Sequence, residues 1–532
     1  MSRDEMKWHE YNRRKIRRRK NDNDENIFRD IFNKCYREFI SNCSITGVKK
    51  MKKSNAPLIE RVAWIFLSGA TFGMFIYFCY YLWFESLFNP FIVTMETSSY
   101  PITEIDFPAI AVCNVNRLSK KALKALEMKL FKGLFSKNFT KKSMWNLGRL
   151  IDFTRGEGGE NQKYLYADDT KLSADKITDT MKELAPRCEE MLLECSWDGE
   201  HVDCDSIFEV HRTVRGHCCT FNNVLSLTAA EALNRSVTEV KRQTRPGTSF
   251  GLNLVIDPLI EDYAYTTRIV HGLEILVYDS THFADPSGDR VILRLAEPNT
   301  ATLLKLNSVK QVATQEVRKY NYRTRNCLFR DERRINFNDT YSYSACIINC
   351  RVKAVQALCR CIPYFLPHIS EMPTCTLFDL PCLDKYKDKF FSMFPKGMEN
   401  NNELEIELLD SLRCPHCLVD CEFTKHIAKT IKIPLKGLKT GIQKFPISAS
   451  INMTNKCYVS IYHSTFYGTL DRLDVVAYWY ELVSNVGGVA GILMGLSIIS
   501  IFEIVYFFCI KFLIRIINWF VFSFVRGLFT IK

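Results

Sequence analysis

The sequence lacks the short motifs that announce catalysis. No His-Glu-x-x-His, Gly-x-Ser-x-Gly or phosphate-binding glycine loop occurs in its 532 residues. Zinc hydrolysis, acyl transfer at a nucleophile elbow and nucleotide turnover therefore have no residues to run on. The ten histidines are scattered, and each reads as an ordinary surface or core residue. No enzyme, cofactor or metal centre is expected. Internal repeats and long low-complexity linkers are absent too, which excludes a solenoid or a string of tethered modules. Charge is missing in two places. Val62–Phe84 runs 23 residues without a charged side chain, and Leu482–Ile510 is broken only by Glu503. A bilayer core about 30 Å thick takes about 20 apolar residues as a helix, so each stretch is long enough to span. The bland alternative is a buried core helix, which rarely stays uncharged for that length. A signal peptide does not fit the first stretch. It is preceded by 61 residues, and the bulky Tyr80, Tyr81, Trp83 and Phe84 stand where small cleavage-site residues would be needed.

What charge there is sets an orientation. Residues 1–61 hold 17 Lys and Arg against 9 Asp and Glu, and residues 511–532 hold Lys511, Arg515, Arg526 and Lys532 with no acid. These two excesses, +8 and +4, account for the whole formal charge of +12. Basic residues beside spans stay cytoplasmic. The expected organisation is a cytoplasmic tail (1–61), a first span (62–84), an extracellular domain (85–481), a second span (482–510) and a cytoplasmic tail (511–532). The basic run Arg13–Lys20 then faces anionic lipid or solvent rather than nucleic acid. Phe512–Phe529 has only ten uncharged residues between Arg515 and Arg526, too few to span, and reads as an interfacial helix.

Cysteines and glycosylation motifs agree with this layout. Of 21 cysteines, 17 lie in 85–481, where the surroundings are oxidising. Four of the Asn-x-Ser/Thr sequons, at Asn138, Asn234, Asn338 and Asn452, lie there. Within that domain, 120–135 has apolar residues at helical spacing, while 250–257 and 273–278 read as strands. Residues 343–358 read as a helix that carries Cys346 and Cys350 on one face. The domain is thus α+β. Cys414, Cys417 and Cys421 form a C-x2-C-x3-C cluster. Zinc is one reading of it; a disulfide ladder with the two-cysteine helix is the other. Seventeen is odd, so at least one extracellular cysteine lacks an intrachain partner.

Five motifs occur in order: Phe107-Pro108-Ala109-Ile110-Ala111-Val112-Cys113-Asn114, Gly216-His217-Cys218-Cys219-Thr220-Phe221-Asn222, Arg325-Asn326-Cys327-Leu328-Phe329, Tyr341-Ser342-Tyr343-Ser344-Ala345-Cys346 and Gly495-Leu496-Ser497. In them the chain resembles the degenerin/epithelial sodium channel family, and within it the arthropod pickpocket branch. The resemblance covers almost the whole length. It implies a trimeric plasma-membrane protein with two transmembrane helices and a large disulfide-rich extracellular domain, hand-like with a β-rich palm. It implies a sodium-selective or sodium-preferring cation channel, amiloride-sensitive and not voltage-gated, assembled from the same or related subunits. It also implies the pairs Cys113–Cys218, Cys195–Cys204, Cys188–Cys219, Cys327–Cys421, Cys346–Cys417, Cys350–Cys414, Cys359–Cys382 and Cys361–Cys375, with Cys457 left over. One departure bears on gating. The family's cytoplasmic His-Gly motif falls at Thr46-Gly47, so the histidine is gone.

The second apolar stretch has its own logic. At about 100° per residue, Ser484, Gly488, Gly491 and Gly495 fall on one helical face. Small residues let helices approach closely in lipid, so packing without a pore is the plain reading of that face. The resemblance adds a filter at Gly495, Leu496 and Ser497, an extended break whose carbonyls face an axis. Non-helical backbone at membrane depth belongs inside protein or along a water path, and a carbonyl ring can replace an ion's hydration. Ser484 falls at the family's degenerin position, and Asn485 where many relatives carry Asp. Glu503 is expected to line a cation-attracting inner vestibule, because an ionisable residue in a span usually faces water. An ATP-gated channel would show an extracellular basic cluster and fewer cysteines. A two-span receptor or adhesion protein would need neither Glu503 nor the glycine face.

Overall fold

The computed structural model describes residues 29–43, 57–88, 90–131, 146–154, 174–225, 239–266, 268–288, 290–335, 340–368, 371–394, 409–435 and 452–529. The chain forms two compact units: residues 93–474, and residues 1–92 taken with 475–532. In chain order the main strands are β1 (Phe91–Pro101), β2 (Ala109–Asn114), β3 (Leu192–Trp197), β4 (Glu200–Val202), β5 (Phe208–Thr213), β6 (Gly216–Phe221), β7 (Leu252–Ile256), β8 (Leu273–Tyr278), β9 (Ile292–Ala296), β10 (Thr300–Ala313), β11 (Phe423–Pro434), β12 (Cys457–His463) and β13 (Tyr467–Val475). The helices used below are α1 (29–42), α2 (Leu58–Phe88), α3 (Lys120–Phe131), α4 (Ile177–Leu184), α5 (Tyr343–Cys359), α6 (Trp479–Met494), α7 (Ile498–Val505) and α8 (Lys511–Phe529).

Two sheets organise the larger unit. The first runs β1–β13–β10–β12–β7–β3–β4, with β11 added on β10. Its spine is β10, antiparallel to β11 from Thr300↔Pro434 to Gln311↔Phe423. On its other edge β10 pairs first with β12, Thr300↔Cys457 to Leu306↔His463, and then with β13, Val309↔Thr469 to Ala313↔Leu473. Gly468 sits where the partner changes, and a Cβ there would lie 2.6 Å from the Ser308 carbonyl oxygen. The second sheet is β9–β8–β2–β6–β5. Every residue of β2 and β8 is buried, so both read as continuous rather than alternating runs. Phe107, Ile110, Val112, Leu254, Ile275, Leu304 and Val459 share one core. Leu123, Ile151, Met181, Val352, Phe365 and Phe390 form a second, among the helices.

Eight disulfides staple this unit: Cys113–Cys218, Cys188–Cys219, Cys195–Cys204, Cys327–Cys421, Cys346–Cys417, Cys350–Cys414, Cys359–Cys382 and Cys361–Cys375. Cys414, Cys417 and Cys421 are all consumed in them, which removes the zinc reading. Helix α5 starts where Ser342 accepts the Ala345 N–H and ends at left-handed Arg360, φ 56°. The expected strand 250–257 shortens to Leu252–Ile256, because Thr248–Phe250 turns as a 3-10 helix and Asp257 N–H donates to the Met191 carbonyl. The helix expected over 120–135 is seen as Lys120–Phe131; 132–135 lie outside the described residues. Cys457 has no disulfide, and burial pushes its thiol up to about 12.

The smaller unit is helical. Helix α2 spans 31 residues, and of its apolar stretch Leu58–Phe84 none is buried. It is longer than the expected 62–84 because Pro57 precedes the first turn and Glu60 lies within it. A proline ahead of a helix start and an acid in the first turn both favour that earlier beginning. The second apolar stretch, expected as a span over 482–510 with a break at 495–497, is interrupted at that break. Helix α6 stops at Met494, α7 starts at Ile498, and the helical run Ile498–Trp519 departs from the direction of α6 by 83°. Nor is 511–529 a separate helix, since a π turn over Tyr506–Ile510 joins α7 to α8.

Candidate functional site

The break between α6 and α7 is built from three residues. Gly495 is left-handed, φ 62° and ψ 27°, a conformation that glycine enters without steric cost. Its N–H donates to the Gly491 carbonyl at 3.0 Å, and the Leu496 N–H donates to the Ala490 carbonyl at 3.3 Å. Ser497 is extended, φ −119° and ψ 168°, and caps α7: its Oγ accepts the Ser500 N–H at 3.3 Å. In return, the Ser497 N–H donates to Ser500 Oγ at 3.3 Å. The segment is therefore not extended throughout, as the resemblance implied. It is a left-handed turn followed by one extended residue, with the freed backbone groups recaptured locally as an apolar setting demands. Ser500, buried and reciprocal to Ser497, had no signal in the sequence beyond its position three residues after a serine.

Around the break, Ser484, Asn485, Gly488 and Gly491 are exposed in the single chain, and Glu503 is half-buried. A Cβ added at Gly488 would meet nothing within 4 Å. At Gly491 it would make only ordinary contact, 3.7 Å from the Leu496 carbonyl oxygen. Crowding on this face therefore has to come from outside the chain. Helix α2 packs alongside α6, and the Val476 N–H donates to the Pro90 carbonyl at 2.8 Å.

Other predicted positions stand as follows. Asn452 is exposed, and its Oδ1 accepts both the N–H (3.1 Å) and the hydroxyl (2.7 Å) of Thr454, the threonine of its own sequon. Asn138, Asn234, Asn338, Thr46 and Gly47 lie outside the described residues.

Two arrangements were not legible beforehand. In the smaller unit, Glu38 of α1 receives Lys511 Nζ at 2.8 Å and Arg515 Nη2 at 2.5 Å. Lys511 and then Arg515 hold its carboxyl down at about 2. Phe39 of α1 packs on Phe507 and Phe508, ring centres 6.0 and 5.1 Å apart. In the larger unit, Ser308 Oγ lies 2.8 Å from both His426 Nδ1 and His463 Nε2. Gln243 Oε1 lies 3.1 Å from His463 Nδ1. An amide oxygen only accepts, so His463 carries its proton on Nδ1, Ser308 donates to Nε2, and His426 donates to Ser308. Burial drives His426 down to about 4 and His463 to about 3.

A stapled β domain bounded in sequence by two apolar helical segments, the second broken at Gly-Leu-Ser, defines the class of ion-channel subunits rather than enzymes. The chain belongs to the amiloride-sensitive sodium channel family, whose model matches residues 39–507. It is 23% identical to the sodium channel protein Nach of Drosophila melanogaster, over 89% of this chain and 86% of that one. Pickpocket protein 28 of the same fly is 22% identical, with 92% and 81% covered. Acid-sensing ion channel 4-B of Danio rerio is 23% identical, with 88% and 74% covered.

Proposed function

We propose that this protein is one subunit of a sodium-selective or sodium-preferring cation channel of the plasma membrane, amiloride-sensitive and not voltage-gated, with a sensory or ion-transport role. The observation that carries this is the broken α6–α7 pair with its glycine face, in a chain of the amiloride-sensitive sodium channel family. Three copies, identical or related, would bring their α6 faces together around one axis. Ser484 is then the close-packed gate, Asn485 lies at the outer mouth, and Gly488 and Gly491 let the backbones approach. Gly495, Leu496 and Ser497 form the constriction, where carbonyl oxygens substitute for the hydration of a sodium ion. Three Glu503 side chains concentrate cations on the inner side. The uncharged run Val62–Phe84 offers the membrane field nothing to move, which suits a channel opened by something other than voltage.

Orientation follows from the basic flanks. Both termini are cytoplasmic beside anionic lipid, and 85–481 lies outside with glycans on Asn138, Asn234, Asn338 and Asn452. Thr46-Gly47 stands at the cytoplasmic gating motif. The test is to express the subunit alone and with a pickpocket-type relative, and to record sodium current with and without amiloride. A sodium current that amiloride blocks is the expected result. Surface-delivered protein that carries no cation current in either setting overturns the proposal.

A further inference from the structure

The larger unit contains a small cavity with an excess of positive charge. Its polar wall is made by Asn114, Asn116, Arg117, Arg215, His217 and Tyr364. Its volume is about 10 Å³, taken as room for the centre of a water-sized sphere. That is the space of about one water or one monatomic ion.

Three guanidiniums converge beside it on one carboxylate. Glu274, fully buried on β8, pairs with Arg117 Nη2, with Arg268 Nε at 2.9 Å and with Arg215 Nε at 3.3 Å. Three positive charges against one negative leave two uncompensated. The side chains of Arg268 and Arg215 are 41% and 30% exposed and keep some water; that of Arg117 is 3% exposed. Arg117 Nη1 donates to the Asn114 carbonyl at 2.5 Å, yet its buried Nε has no acceptor, and neither does His217 Nδ1. A buried donor left without an acceptor is costly, more so on a charged group. No Asp or Glu lines the cavity. The acids nearby are committed elsewhere: Asp152 accepts from the Tyr265 and Thr154 hydroxyls, and Asp262 accepts the Lys121 N–H. Burial, with Arg212 and Lys182 adding, holds His217 down at about 3. It is therefore neutral, with one ring N–H to give.

We propose that this cavity binds a single monatomic anion, chloride under physiological conditions, held by the Arg117 Nε–H, the Arg215 guanidinium and a His217 N–H. The space for about one water-sized sphere favours a monatomic ion over carboxylates, sulfate and gluconate. The bound ion would supply the acceptor that Arg117 lacks and tie the short strand Asn116–Ser119 and β6 to α4, whose Met181 also lines the space. The inference does not depend on the pore.

The test uses the full chain in lipid nanodiscs at constant ionic strength, with sodium gluconate exchanged for sodium chloride or bromide up to about 150 mM. Chloride and bromide should each raise the melting midpoint by about 2 °C or more over gluconate. Wild-type protein should also broaden the chlorine-35 resonance, and bromide should reverse the broadening. Arg215→Gln, at a partly exposed position, should fold, should melt like wild type in gluconate, and should weaken both responses about tenfold. Equal melting in all three salts, or a chloride response that Arg215→Gln and Arg117→Gln leave intact, overturns the proposal.

Discussion

Between 93 and 474 a large set of apolar side chains faces inward: Phe107, Phe221, Tyr278 and Phe365 are all but fully buried. In the smaller unit Phe66, Tyr77, Trp83, Ile492 and Phe502 are each more than half exposed. The cysteines divide the same way. All eight disulfides are in the larger unit, whereas Cys35, Cys43, Cys79 and Cys509 of the smaller one are free thiols. One unit makes its own interior and is cross-linked as an oxidising compartment allows. The other turns apolar surface outward, where nothing among the described residues of the single chain covers it. Stability in the first depends on what is buried within a single chain, and function in the second on what the chain meets outside itself.

The largest effect expected to sharpen this contrast comes from acid. His426 and His463 are buried neutral, with folded values near 4 and 3 against 6.5 for the free group. As pH falls below 6.5 the unfolded chain takes up protons that the folded one refuses, so stability is lost progressively down to those values. Each histidine should cost about 2 kcal/mol or more by pH 4.5. Melting of the larger unit should therefore drop steeply between pH 6.5 and 4.5, and His463→Gln should flatten the slope. The groups around His426 pull in both directions, Asp279 and Asp106 favouring its charge and His282 opposing it. A slope that survives both His→Gln substitutions would mean the acid sensitivity lies elsewhere.

Next in size are the staples. Breaking Cys350–Cys414 should cost about 2–4 kcal/mol and reduce surface delivery. Cys350→Ser with Cys414→Ser should be no worse than either alone, because the bond is already lost in the single variants. Clear additivity in a surface-biotinylation assay would contradict the pairing. Cys79→Ser, in the smaller unit, should leave delivery unchanged.

The smallest effect in energy is the most telling for function. Ser484→Val adds bulk to a face that is empty in one chain, so the monomer should tolerate it. In an assembled, closed channel three such side chains would crowd one another, and overpacking costs about 1–3 kcal/mol. A shift of about 1.4 kcal/mol toward the open state raises the open-to-closed ratio about tenfold. Resting sodium current should rise by that order with Ser484→Val and stay near normal with Ser484→Ala. Unchanged resting current in Ser484→Val, at matched surface density and stimulus-evoked current, would remove Ser484 from the gate.

Some of this was written in the linear order of residues. The uncharged run of α2 needs no partner to be recognised, because its length against a bilayer is a one-dimensional property. Strand Leu273–Tyr278 and helix Tyr343–Cys359 were legible from local residue pattern within a few residues of their ends. The family motifs carried the cysteine pairs, which spacing alone leaves open. Other features depended on folding. Glu274 looks like any strand glutamate until Arg117 and Arg215, distant in sequence, converge on it with Arg268, six residues before it. Ser308, His426 and His463 become one hydrogen-bonded chain only through the pairing of β10 with β11 and β12. The 83° turn at Gly495 is invisible to composition, which sees an unbroken apolar stretch. Local pattern decides which residues leave water. Which of the buried polar groups meet, and with how much charge left over, depends on strand register and chain crossing, and those exist only in three dimensions.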